Sequence, residues 1–230
     1  MGIRTERIVR AAASTAFVIA VSVVLGGLTS PAQQYLPDEL RSFANSAGGW
    51  TMFAFLAVWL SRARPVLGAL LGALSFVAMV EAYGAVSAWR GHFFAAPFSS
   101  IWIPIGLVAG PVIGVSAALV RYGRNRSWRL AGVGVLSAVL LAESMYGLTV
   151  VRATTSPVYW VLEGAAGVGF FISAVTAGHR ERKRGESPRS ADVSDGGDVG
   201  ALQSDPAQRL NPTATPPEDR ADASVELRLS

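Results

Sequence analysis

Three glutamates, Glu81, Glu143 and Glu163, stand inside long apolar stretches of the chain. A carboxylate held at membrane depth costs at least about 2.5 kcal/mol on insertion scales, so each must be either tied down by partners or put to use. Glu81 and Glu143 each precede an arginine, Arg90 and Arg152, by nine residues, and Glu163 follows Pro157 closely. At a helical rise of 1.5 Å per residue all three fall roughly 10 Å beneath the same surface. They could therefore line one outward-facing vestibule.

Three neighbouring carboxylates cannot all ionise without a counter-charge. A small cation held among them, or protons kept on some of them, would make a cation or proton-coupled site. Alternatively, Arg90 and Arg152 fold inward as partners and form a structural latch. Tyr83, Tyr146 and Tyr159 are placed to hydrogen-bond the acids: Tyr146 is three residues after Glu143, and Tyr159 four before Glu163.

Other chemistries lack their residues. The chain has no cysteine, which removes disulfides, thiolate catalysis and thiolate metal sites, and only His92 and His179 offer an imidazole. An intramembrane serine protease needs a base beside its serine, and a zinc protease needs paired histidines on one helix. Neither is present in the apolar segments, nor is a phosphate-cradling loop or a dinucleotide fingerprint. Carboxylates with Mg²⁺ could serve lipid-phosphate chemistry, but no acidic motif on a cytoplasmic loop supports it. An enzyme is not expected, nor a cofactor or resident metal.

The elements that must position the glutamates follow from composition. Of 230 residues 51% are hydrophobic and 16% charged, against about 25% charged in soluble domains. A bilayer core about 30 Å thick needs roughly 20 apolar residues per helix. Six stretches qualify: Ile8–Leu28, Phe43–Ser61, Pro65–Trp89, Ile101–Val120, Leu130–Val151 and Pro157–Gly178. The second is the weakest, firmly apolar only from Trp50 to Leu60. Pro65 and Pro157 suit first helical positions, the latter after Ser156 as a cap. Trp50, Trp89, Trp102, Trp128 and Trp160 fall near span ends, where indoles favour the interface. The expected fold is an all-α, six-helix membrane bundle over residues 1–178, with a disordered cytoplasmic tail over 179–230.

Arginines at 4, 7 and 10, at 62 and 64, and at 121, 124, 126 and 129 share one side with the run His179–Arg184, while Arg41, Arg90 and Arg152 occupy the other. The positive-inside rule then makes both termini cytoplasmic in a plasma membrane. The net charge of +4 is read as membrane orientation and attraction to anionic lipid, not nucleic-acid binding. The arginine-led first stretch also resembles a signal peptide, with Ser30-Pro31-Ala32 as a poor cleavage site; retention is expected. The Ser/Pro/Asp/Gly-rich tail has too few apolar residues to offset the entropy of ordering.

Two patterns lie within the bundle. Gly72-Ala-Leu-Ser-Phe-Val-Ala-Met-Val-Glu81 aligns with Gly134-Val-Leu-Ser-Ala-Val-Leu-Leu-Ala-Glu143, followed by Tyr83-Gly84 against Tyr146-Gly147 and Arg90 against Arg152. This predicts a tandem duplication of a helical hairpin; transporter folds are often built from repeats. In the fourth stretch, Gly106, Gly110 and Gly114 recur every fourth residue, a flat stripe for close helix packing, and Pro111 frees the carbonyl of Leu107.

The strings Leu28-Thr-Ser-Pro-Ala-Gln-Gln-Tyr-Leu-Pro-Asp, Phe43-Ala-Asn-Ser-Ala-Gly-Gly-Trp50 and Tyr146-Gly-Leu-Thr-Val-Val-Arg-Ala-Thr-Thr-Ser-Pro-Val-Tyr-Trp160 resemble an uncharacterised family of actinobacterial multi-pass membrane proteins. The resemblance spans roughly residues 20–175 and implies membrane location, with no activity or site residue attached. Two functions are thus expected to compete: a small transporter or channel-like protein using Glu81, Glu143 and Glu163, and a non-catalytic scaffold binding a protein partner through the tail or the glycine stripe.

Overall fold

The computed structural model describes residues 2–92 and 96–185. They form helices α1 (Ile3–Tyr35), α2 (Asp38–Arg41), α3 (Ala47–Ser61), α4 (Pro65–Trp89), α5 (Trp102–Tyr122), α6 (Arg126–Thr149) and α7 (Pro157–Gly185), with a 3-10 turn at Ser42–Asn45. The described residues contain no strand, and the all-α expectation holds. Helix α7 continues through the basic run beyond Gly178, and the rest of the expected tail, from residue 186, lies outside the described residues.

Five helices are long and apolar enough to cross a membrane, and a sixth span results if Asp38–Asn45 and Ala47–Ser61, bent by 61°, count together. The second apolar stretch is therefore bent at Ser46, where one continuous span over Phe43–Ser61 was expected. The break has a local cause. Ser46 is extended (φ −95°, ψ 132°), and its side chain accepts a hydrogen bond from the Gly49 N–H, the preferred arrangement for a serine N-cap. The other end of α3 closes on Arg62, whose φ of 59° is left-handed. That costs about 1–2 kcal/mol for a residue bearing a Cβ, and Tyr122 donates to the Arg62 carbonyl at 2.7 Å to hold the corner.

The distribution of polarity suits a lipid-facing bundle. Ser22, Ser75, Ser87, Ser137 and Ser144 are buried, while Ile8, Val24, Val66, Leu70 and Val108 are exposed. Helices that associate without a hydrophobic driving force pack through small residues and interhelical hydrogen bonds. Both devices occur here. Ser22 and Ser75 share a 2.8 Å hydrogen bond between α1 and α4. The stripe Gly106, Gly110 and Gly114 of α5 lies on α4: a Cβ at Gly110 would approach the Ala73 backbone to 2.6 Å, and one at Gly106 the Cβ of Phe76 to 2.6 Å.

Helices α6 and α7 form the corresponding pair. Ser144 donates to the Trp160 carbonyl at 2.6 Å, and the Gly147 backbone lies directly against the Trp160 ring. These two pairs are joined by α1 against α4 and by α3 against α5 and α6.

Candidate functional site

Helix α3 has 15 residues, about 22 Å of rise. A bilayer core is about 30 Å thick, so in a membrane its first turn would begin beneath the surface. The unsatisfied N–H groups of a helix start must then find acceptors within the protein. Glu143, from α6, and the Ser46 cap meet this need. Ala47 donates its N–H to Oε1 of Glu143 at 2.8 Å, and the Gly48 N–H donates to Oε2 of the same carboxylate. Gly49 donates to Oγ of Ser46 at 2.9 Å.

Glu163, from α7, completes the cluster. Oγ of Ser46 lies 3.1 Å from Oε2 of Glu143 and 3.2 Å from Oε1 of Glu163. The Tyr159 hydroxyl lies 2.7 Å from Oγ of Ser46 and 3.1 Å from Oε1 of Glu163. Serine and tyrosine each have one hydroxyl proton. Ser46 thus serves one carboxylate at a time, and Tyr159 either the serine or Glu163. Oε2 of Glu163 is buried with no hydrogen-bond partner, and the residue is only 2% exposed. A Cβ at position 48 would overlap Oε1 of Glu163 and approach Oε2 of Glu143, so a larger residue there would have to displace the two carboxylates.

Glu81 belongs to a different environment. Its Oε1 accepts from the Phe98 N–H at 3.0 Å, in the connection leading to α5. It faces a cavity of about 500 Å³ bounded by α4, α5, the start of α3 and Val139 of α6. Ser46 and Ala47 line the same cavity. The cap of α3 is therefore a partition, with Glu81 on the cavity side and the Glu143–Glu163 pair behind it. The structure brings two of the three glutamates together and sets the third apart.

The supporting residues divide in the same way. Tyr159 touches the pair, whereas Tyr146 is 55% exposed and Tyr83 donates to Oε1 of Gln33 at 3.1 Å. Arg90 donates to Ser30 at 3.0 Å and to Gln34, and stacks over Tyr35. Arg152 is exposed. Among the described residues neither arginine forms an ion pair with a glutamate, and no group of three or more His, Cys, Asp or Glu side chains could hold a metal.

Sequence reasoning overlooked Ser46, the residue common to both environments. Its signal was the run Asn45-Ser46-Ala47-Gly48-Gly49, a cap-forming residue before two glycines in a stretch too polar for a continuous span.

Residues 5–189 match the model of a family of unknown function, DUF6518. The chain belongs to this family. No curated protein and no solved structure matches it. The family match covers all seven helices except the first two residues of α1, so both glutamate environments lie within the family region.

Proposed function

We propose that this family member is a small multi-pass transporter or channel-like protein of the plasma membrane, in which Glu143 and Glu163 carry a proton. The observation behind the reading is the buried Oε2 of Glu163, without a partner, beside a second carboxylate at the start of a broken helix. Broken spans recur at transporter binding sites, where half-helix ends meet charged groups. A proton suits this site better than a metal cation. The first N–H groups of α3 are engaged by the Glu143 carboxylate and favour its negative charge. One negative charge and one proton shared by the pair match the donors that are present.

The reading includes no enzymatic step and no cofactor. It follows the arginine distribution in placing both termini in the cytoplasm and both glutamate environments toward the outer surface, and it retains the bacterial, actinobacterial origin that the sequence resemblance implies. Because the chain has no cysteine, single substitutions Arg124→Cys and Thr154→Cys can report topology with an impermeant thiol reagent. Labelling from outside is expected at position 154 alone.

Transport is tested in proteoliposomes under an imposed pH gradient, with internal pH followed by a trapped dye while monovalent metal and organic cations are offered in turn. Protein-dependent dissipation with at least one of them is expected, and its loss in Glu163→Gln and Glu143→Gln. If the folded double variant dissipates the gradient at the wild-type rate, the two acids are structural caps and the transport reading ends.

A scaffold remains the second reading, favoured by the same hydrogen bonds in their purely structural role. The glycine stripe is packed on α4 within the chain, which leaves the tail as the segment to delete in a search for a protein partner.

A further inference from the structure

We infer that the cavity beside Glu81 is a binding site for an organic cation with a largely apolar, aromatic body. It names a substrate class for the transport reading and rests on that reading only for movement across the membrane; the binding itself is independent of it.

The walls set the shape of the ligand. Trp50, Phe76, Trp102, Ile105 and Ile113 provide apolar surface around about 500 Å³. This volume falls within the range that holds a small organic molecule, roughly 300–1,000 Å³. Trp50 and Tyr83 meet edge to face, with centroids 6.1 Å apart, and both line the cavity. Aromatic faces attract a cation while accepting hydrocarbon.

The sign of the charge follows from what lines the cavity. Among its described lining residues Glu81 is the only one with a carboxylate side chain, and no arginine, lysine or histidine contributes. The opening of α3 would ordinarily attract an anion, but its donors are already engaged. The N–H groups of Ala47 and Gly48 point to Glu143, and that of Gly49 to Ser46. An anion in the cavity would meet a carboxylate and no free helix-start donor. A cation would meet Glu81, whose other oxygen is left over from its bond to Phe98, together with the polar side chains of Asn45 and Ser46.

The test uses the purified full-length protein in lipid nanodiscs and two probes of the same shape and opposite charge, tetraphenylphosphonium and tetraphenylborate. Binding is read by quenching of tryptophan fluorescence and by calorimetry, each corrected for empty nanodiscs. Tetraphenylphosphonium should bind saturably, with at least about tenfold preference over tetraphenylborate. Glu81→Gln keeps the side-chain shape and an acceptor for Phe98, and should erase most of that preference. Ala109→Phe, which fills the cavity from α5, should abolish saturable binding of both ions.

Equal affinity for the two ions, unchanged preference in Glu81→Gln, or unchanged binding in Ala109→Phe would each overturn the assignment. A thermal unfolding midpoint near that of the wild type shows that each variant is folded. The binding assay leaves Glu143 and Glu163 intact. Binding that survives while the pH-gradient assay shows no dependence on those two acids removes transport and keeps the site; the converse removes the site and keeps proton movement.

Discussion

Helices α4 and α6 carry the same sequence pattern and meet different surroundings. Glu81 of α4 accepts one backbone hydrogen bond from an exposed connection and borders a cavity. Its counterpart Glu143 on α6 accepts from the first two N–H groups of α3 and shares Ser46 with Glu163. The other matched positions diverge as well. Gly72 abuts the Gly110 backbone, whereas nothing lies within 4 Å of a Cβ built at Gly134. Ser75 pairs with Ser22, whereas the buried hydroxyl of Ser137 has no partner. Repeated sequence sets depth and helical face; the neighbouring helix decides the chemistry at each position.

The comparison is broken most easily at the glycines. Gly72→Leu would force α4 away from α5 and should destabilise the bundle by about 3 kcal/mol, the upper end of ordinary overpacking. Gly134→Leu meets no neighbour within 4 Å of its Cβ and should be neutral or stabilising by up to about 1 kcal/mol, the cost of a glycine inside a helix. Thermal unfolding in detergent, followed by tryptophan fluorescence, measures both. Similar losses in the two variants would show that the α4 and α6 faces are equivalent.

The acids should differ by less. Glu143→Ala removes the acceptor for both Ala47, which is exposed, and Gly48, which is buried, and leaving the buried donor unsatisfied should cost roughly 1–3 kcal/mol. Glu81→Ala gives up one bond that solvent can replace, so less than about 1 kcal/mol is expected. A reversed order in urea or SDS titration would mean that Glu143 is not the cap of α3.

The serines sharpen the comparison at its finest scale. Ser75→Ala loses the bond to Ser22 and strands that hydroxyl in the interior, for about 1 kcal/mol. Ser137→Ala removes a hydroxyl that has no partner and should be neutral or slightly stabilising, since the desolvation of that group is relieved. A loss at Ser137 equal to that at Ser75 would indicate a hydrogen bond to Ser137 that the packing does not suggest.

Much of the fold was legible because the span signal is local. Twenty apolar residues in a row, a proline at the first helical position and tryptophans near the ends are properties of short windows, and α4 begins and ends at the residues expected, Pro65 and Trp89. The broken second span was less legible. Ser46 gains its importance from Glu143 and Glu163, which lie 97 and 117 residues further along the chain, so no window around it contains its partners. The signal that was present, a serine before two glycines, indicates a helix start and not what that start will meet.

The glutamates mark the boundary between the two sources of information. The sequence alone set Glu81, Glu143 and Glu163 each within a few turns of the nearer end of its helix, because rise per residue converts a count into a distance. It also determined that the glycines of α5 form one stripe, because a fourfold spacing returns to the same helical face. Tertiary structure alone decided that Glu143 and Glu163 converge on α3 while Glu81 faces a cavity. Depth is fixed along one helix, but lateral position depends on how the helices are arranged around one another, and that arrangement is set by contacts between residues far apart in the chain.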